Sequence, residues 1–296
     1  MMTSAQMAAK LAEGNGFIAA LDQSGGSTPK ALRGYGIEDS EWSGDEEMFA
    51  KIHEMRTRII KSPSFSNGKV IGAILFEKTM DGDVDGTPVP QALIERGIVP
   101  FIKIDKGLED EADGVQMMKP ISGLKALLER AKGLGVFGTK ERSVINQASP
   151  TGIGAIVSQQ FEVGKQVLSH GLMPILEPEY SIRAEDRAEG EQILKNEIVK
   201  QLNALEEGEQ VMLKLSIPVE AGLYKELIEH PKVLAVVALS GGYSTDEACE
   251  KLAQNPGMIA SFSRGLLQDL RAQQSDEEFD STLGAAIDKI HAASVA

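Results

Sequence analysis

Lys214 lies in the middle of an apolar run, Val211-Met212-Leu213-Lys214-Leu215-Ser216-Ile217, closed by Pro218. A lysine at such a position costs stability unless something is gained. Burial disfavours the ammonium, and a lysine that gives up its proton is an amine nucleophile. Alone, it would more often be a solvated or ion-paired side chain, but it has company. Lys103, Lys140, Glu177 and Lys214 fall on successive apolar runs at a constant spacing of 37 residues. Lys140 and Arg142 are two residues apart, as are Glu177 and Glu179, so on a strand each pair shares a face. Asp22, Ser240 and Arg264 close three further runs. Lys103 and Lys140 near Lys214 would repel its proton. Glu177 or Glu179 would move protons while an imine forms and breaks, and Asp22 would accept a hydroxyl proton.

The elements that must position these groups are the runs themselves. There are eight, at 16–22, 70–77, 99–105, 136–142, 172–179, 211–217, 233–240 and 258–264. A strand, a helix and two loops need about 30 or more residues, so the spacing fits a repeating βα unit. Helical periodicity fills the gaps: Met48, Ile52, Met55 and Ile59; then Ile153 to Val167; then Ile193 to Leu205. Ser244-Thr245-Asp246-Glu247 reads as a capped helix start, and residues 1–13 as a mildly amphipathic helix. Strands alternating with helices predict a parallel sheet. Eight of them with no switch point predict an α/β fold, a closed (β/α)8 TIM barrel in a single domain over 1–296. Pro178 cannot donate to a ladder, so it marks the expected exit of the fifth strand from the sheet.

In such a barrel the C-terminal strand ends form the active mouth. That would gather Asp22, Lys103, Lys140, Arg142, Glu177, Glu179, Lys214, Ser240 and Arg264, a density of charge with no stabilising purpose. Ser240-Gly241-Gly242 before a helix is a backbone nest. With Arg264 after the eighth run it falls where barrels hold a phosphate. A second loop, Gln23-Ser24-Gly25-Gly26-Ser27, follows the first run. Two anion loops flanking an amine nucleophile suggest a carbonyl substrate with two phosphates.

Composition narrows the class. A net charge of −14 argues against a nucleic-acid surface. It also makes the strand-end cations more telling. The single cysteine, Cys249, excludes intrachain disulfides, suits a reducing cytoplasmic compartment and reads as packing. No apolar stretch approaches the roughly 18 residues of a membrane span, and residues 1–13 contain no signal-peptide core. A homo-oligomer is compatible with the sequence, which does not specify one.

With these stretches in view, the chain resembles the class I fructose-bisphosphate aldolases along nearly its whole length, most closely the short bacterial form. The resemblance is carried by Ala19-Ala20-Leu21-Asp22-Gln23-Ser24-Gly25-Gly26-Ser27, residues 72–77, Phe101-Ile102-Lys103-Ile104-Asp105-Lys106-Gly107, residues 137–142, Pro174-Ile175-Leu176-Glu177-Pro178-Glu179, Met212-Leu213-Lys214, Leu239-Ser240-Gly241-Gly242 and Ser261-Phe262-Ser263-Arg264. It implies cleavage of fructose 1,6-bisphosphate to dihydroxyacetone phosphate and glyceraldehyde 3-phosphate, in glycolysis and its reversal, with no metal or other cofactor. By the same resemblance Lys214 forms the Schiff base, Glu177 donates and accepts protons, Asp22 stands beside the bond that breaks, and Lys140 supports imine formation. Lys103 and Arg142 position the substrate and one phosphate; Ser240, Gly241 and Arg264 hold the other, with Ser24, Ser27, Gly242 and Ser263 in the same loops. The chain departs from the animal pattern in three places. It has Ala31 where that pattern has arginine, with Arg33 two places on. Arg264 directly follows Ser263, where the animal enzymes read tyrosine-glycine-arginine. The tyrosine-ended tail is absent after Ala296.

Other motifs point elsewhere and fall short. Asp81-Gly82-Asp83-Val84-Asp85-Gly86 copies the first half of a calcium loop, but position twelve is Ala92 and Pro88 and Pro90 intervene. A loop over the second strand is the better reading. His53, His170, His230 and His291 are scattered, so no zinc cluster is expected. The acidic runs 109–111 and 276–278 read as solvated surface. Two other functions fit the same residues: another Schiff-base sugar-phosphate aldolase, and a sugar-phosphate-binding barrel without catalysis.

Overall fold

The computed structural model describes residues 2–66 and 68–296. All eight apolar runs form strands: β1 (Phe17–Leu21), β2 (Val70–Leu75), β3 (Val99–Lys103), β4 (Gly138–Ile145), β5 (Met173–Tyr180), β6 (Val211–Ser216), β7 (Val233–Leu239) and β8 (Met258–Ala260). They pair in chain order, every neighbour parallel. This is the barrel the pattern predicts. A parallel strand is covered on both faces, which is why the runs are continuously apolar rather than alternating.

The three predicted helical stretches appear as Gly44–Lys61, Pro150–Ser169 and Arg187–Asn203. Ser149 caps the second, accepting from the Gly152 N–H at 3.1 Å, and Pro150 sits where its missing N–H costs nothing. Ser244 caps Thr245–Leu252 as its sequence predicts. The calcium-like stretch is a small hairpin, Asp83–Val84 against Thr87–Pro88. Asp85 and Gly86 both have positive φ in its two-residue turn, as a primed turn requires.

Parity builds two layers inside the barrel. Ile18, Phe101, Ile175 and Met212 belong to one buried apolar cluster, closed below by Met7 and Leu11 of the helix Ser4–Glu13. Two residues further along the last three strands come Lys103, Glu177 and Lys214, and four residues after Ile18 comes Asp22. The same period of two that places an apolar floor therefore lifts the charges above it. Gly138 belongs to this arrangement. A Cβ there would lie 2.0 Å from the Met173 carbonyl oxygen and 2.9 Å from the Phe101 ring, so only glycine lets β4 pass between its neighbours.

Pro178 does not end β5, which continues to Tyr180. Only one side departs: pairing with β6 is recorded to Leu176, whereas pairing with β4 runs on from Glu177 to Tyr180. The Tyr180 N–H instead donates to Ser216 Oγ at 3.0 Å, and that hydroxyl donates back to the Tyr180 carbonyl at 2.7 Å. A side-chain clasp replaces the ladder that proline interrupts.

The barrel seam is also closed by a side chain. β8 lies against β1, but no paired ladder joins them. Ser294, buried at the end of the helix Asp276–Ser294, accepts from the Ala260 N–H at 2.8 Å and donates to the Gly16 carbonyl at 2.7 Å. Replacing Ser294 by alanine leaves both backbone groups without this partner and should cost about 2 kcal/mol, within the range for buried unsatisfied groups. Urea unfolding of Ser294→Ala measures it; an unchanged midpoint would show that the seam does not depend on the hydroxyl.

Candidate active site

At the C-terminal strand ends three lysines and three carboxylates interlock. Lys140 is at the centre, 2% exposed. Its Nζ lies 2.7 Å from Asp22 Oδ2, 3.0 Å from Glu177 Oε2 and 3.9 Å from Asp105 Oδ2. The other oxygen of Glu177 is 3.1 Å from Lys214 Nζ. Lys103 Nζ donates to Asp105 Oδ1 at 2.6 Å and to the Asp105 carbonyl at 2.9 Å. The Arg142 backbone N–H also donates to Asp105, at 3.2 Å. These groups come from β1, β3, β4, β5 and β6 or the residues just after them. Within this set Glu177 is the carboxylate that joins Lys140 to Lys214, one oxygen on each.

The electrostatics follow from those contacts. Burial pushes the Asp22 carboxyl up, but Lys140 and then Lys214 outweigh it and hold it far below the ordinary carboxylate range. Burial likewise raises Glu177, and the same two lysines bring it below its usual value. For Lys140 burial disfavours the charge, while Asp22, Glu177 and Asp105 more than offset it and raise the ammonium. The sequence reading has Lys103 and Lys140 repel the proton of Lys214. The geometry corrects this, because both are occupied by carboxylates, and the charge in contact with Lys214 is Glu177.

The remaining expected residues divide. Glu179 and Arg142 pair with each other at the rim, so Glu179 does not join Glu177 at the lysines. Ser27 turns its hydroxyl onto its own loop, accepting from the Ser24 N–H and donating to the Ser24 carbonyl, both at 2.9 Å. Arg33 is held by Asp39 at 2.6 Å on the outside of its helix. Ser240, Gly241 and Gly242 form a turn closed by the Tyr243 N–H to the Ser240 carbonyl at 3.0 Å. Both glycines sit at positive φ, 60° and 121°. Ser263 meets β1 through the Gln23 side-chain amide. Arg264 opens the short helix Arg264–Leu267, is exposed, and its guanidinium has no ion-pair partner among the described residues.

Three nearby groups escape the sequence reading. Asp105 follows Lys103 by two residues on the same face, a spacing that could have revealed it. Arg56, 1% exposed, extends the apolar stripe of Ile52, Met55 and Ile59. Its position, four after Ile52 and three before Ile59, was the signal. Glu141 points away from Lys140, fully buried beside Thr139 at 3.4 Å. Burial, then the repulsion of Asp105, push its carboxyl well above the usual range. Among the described residues no group of three or more histidine, cysteine or acidic side chains is placed to hold a metal.

Comparison with known proteins is consistent with this geometry. Residues 3–218 match a family model described as fructose-bisphosphate aldolase class I. The structure is similar to the fructose-bisphosphate aldolase of Plasmodium falciparum, with a TM-score of 0.75, 21% identity, and coverage of 98% of this chain and 95% of that one. It is also similar to a structural-genomics protein of Corynebacterium glutamicum, with a TM-score of 0.57, 13% identity, and coverage of 97% and 91%. At these identities the two structures speak to the fold.

The lowered carboxyls make a pH prediction. A carboxylate with a folded value below its unfolded one stabilises above the unfolded value, about 3.9 for aspartate and 4.3 for glutamate. That contribution fades as pH falls through the folded value. Melting temperature should therefore drop steeply below about pH 4. Asp22→Asn should be less stable at neutral pH yet decline less steeply in acid. Parallel acid limbs for the two proteins would show that Asp22 is not part of the titrating cluster.

Proposed function

The chain belongs to the family of class I fructose-bisphosphate aldolases, and from that premise we propose that it cleaves fructose 1,6-bisphosphate, with Lys214 as the imine-forming amine. One observation carries the reading: Lys214 Nζ stands 3.1 Å from a carboxylate whose other oxygen is 3.0 Å from Lys140. An amine attacks a carbonyl only when it carries no extra proton. Glu177 is the base placed to remove that proton, and its lowered value keeps it ready to accept.

The sequence of steps follows. Lys214 adds to the C2 ketone of the substrate. Glu177 returns its proton to the resulting hydroxyl, water leaves, and an iminium forms. Asp22 takes the proton of the C4 hydroxyl. The C3–C4 bond breaks, its electron pair passes into the iminium to give an enamine, and glyceraldehyde 3-phosphate departs. Protonation at C3 and hydrolysis of the imine then release dihydroxyacetone phosphate and restore Lys214. Lys140 keeps Asp22 and Glu177 ionised and apart. No metal enters these steps.

For the phosphates, the turn Ser240-Gly241-Gly242 offers backbone N–H groups, and Arg264 a cation that no carboxylate among the described residues occupies. Both support an anion site at the ketone end. Lys103, Arg142, Ser24 and Ser27 serve the other end. Their present partners support a second reading, a Schiff-base aldolase for a substrate with one phosphate, because Lys103 and Arg142 are already held by Asp105 and Glu179. Comparing turnover of fructose 1,6-bisphosphate and fructose 1-phosphate separates the two.

Borohydride added with dihydroxyacetone phosphate should fix a reduced adduct on the peptide containing Lys214, and Lys214→Met should fold but not turn over. An adduct on Lys103 or Lys140 would overturn the assignment. General acid–base steps contribute roughly 10²- to 10⁴-fold, so Glu177→Gln should lose about that much kcat with a smaller change in KM. Normal turnover in Glu177→Gln and loss in Glu179→Gln would move the proton shuttle to the rim.

A further inference from the structure

A buried guanidinium sits behind the site with no role in those steps. Arg56, on the helix Gly44–Lys61, donates from Nη1 to Thr79 Oγ1 at 2.6 Å, just past β2. From Nη2 it donates to the Gln23 carbonyl at 2.6 Å and to Gln23 Oε1 at 3.2 Å. The Gln23 amide nitrogen donates to the Ala20 carbonyl at 3.2 Å and to Ser263 Oγ. One arginine thus ties the ends of β2, β1 and, through Gln23, β8, directly beside Asp22. Burial lowers the guanidinium to about 10 against the opposing pull of Asp22, so it remains charged at neutral pH.

The direction of these bonds is fixed by chemistry. A guanidinium only donates and a backbone carbonyl only accepts. Turning the Gln23 amide over would set its oxygen against the Ala20 carbonyl and its NH₂ against Arg56. Oxygen and nitrogen of an amide are ordinarily hard to distinguish; here the neighbours on both sides allow one orientation. Ser263 must therefore accept from Gln23, which leaves its own hydroxyl proton unused. Among the described residues no protein group takes that proton, and the next residue is Arg264, whose guanidinium also has no ion-pair partner.

We propose that Arg56 and Gln23 are positioning residues that set Ser263 as a hydrogen-bond donor toward an anionic group of the substrate at the seam of the barrel mouth. Arg56 acts on Gln23, Gln23 on Ser263, and Ser263 on the anion. A glutamate at position 23 would reverse the relay: its carboxylate would still satisfy Arg56, but it would claim the Ser263 proton. This deepens the aldolase reading and rests on it in taking that anionic group to be a substrate phosphate.

The test is a double-mutant cycle on the intact protein with Gln23→Glu, Ser263→Ala and the double variant. It reads KM and kcat for fructose 1,6-bisphosphate and, independently of turnover, the dissociation constant of inorganic phosphate by calorimetry. Loss of a hydrogen bond to a charged group predicts roughly tenfold weaker phosphate binding and higher KM in Gln23→Glu and in Ser263→Ala, with little change in kcat. In the Ser263→Ala background Gln23→Glu should add almost nothing. An equal loss from Gln23→Glu with and without Ser263 would assign the effect to the new charge and overturn the relay. So would unchanged phosphate binding in Ser263→Ala, which removes one atom and adds no charge. Borohydride labelling of Lys214 in the wild-type protein is read in parallel. Its failure would sink the aldolase reading, while the phosphate cycle would still decide the relay.

Discussion

The buried ammonium of Lys140 is the contact on which the mouth of this barrel depends. Removing a charge from water costs several kcal/mol even after relaxation, and attraction recovers this only when partners are close and well placed. Lys140 has Asp22, Glu177 and Asp105, each supplied from a different strand. With Lys103 and Lys214 the set comes to three lysines and three carboxylates, balanced within a few ångströms. No member can be satisfied by its own strand neighbours except Lys103 and Asp105, which lie two residues apart and hold each other. A slip of one residue in any of these strands would turn a charge out of the cluster and an apolar residue into it. The register of the barrel and the chemistry of its mouth are therefore one specification. Apolar filling of the same volume would often be as stable or more so, which is consistent with a cluster kept for reaction rather than for strength.

Occupancy distinguishes the cations more sharply than their number does. Lys103 is held by Asp105, Arg142 by Glu179 and Arg33 by Asp39, whereas the Arg264 guanidinium stands without an ion-pair partner among the described residues. A cation already compensated can align a substrate at little electrostatic gain. An uncompensated one at a strand end, next to a turn whose glycines sit at positive φ, is better disposed to attract an anion.

Much of this was legible in the sequence because it follows from periods. A spacing of 37 along the chain gave the βα unit, and a spacing of two gave the shared faces of Lys140 with Arg142 and of Glu177 with Glu179. What those periods cannot give is which of two same-facing groups goes inward at a strand end. Glu177 meets two lysines, while Glu179 stays at the rim with Arg142. Pro178 misled for a similar reason. The rule that proline ends a ladder concerns one edge, and β5 kept the other by borrowing the Ser216 hydroxyl. Arg56 stood at a core-facing position of a helix otherwise read as an apolar stripe, and its charge hid its burial. The pairing of Lys103 and Lys140 with carboxylates is a matter of distance between strands, which spacing along the chain does not encode.

The clasp made by Ser294 has a consequence for how the molecule comes into being. Gly16 and Asp22 are synthesised some 270 residues before Ser294. At about 5–20 residues per second the strand bearing Asp22 waits many seconds for the groups that close its edge. During that interval β1 carries an apolar face and an exposed backbone edge, the condition in which nascent chains invite wrong pairings. The helix that carries Ser294 thus closes the barrel only after all eight strands have been made. Assembly of the mouth is tied to the synthesis of the helix Asp276–Ser294, and any pause before that helix prolongs the time the cell must shield an open barrel.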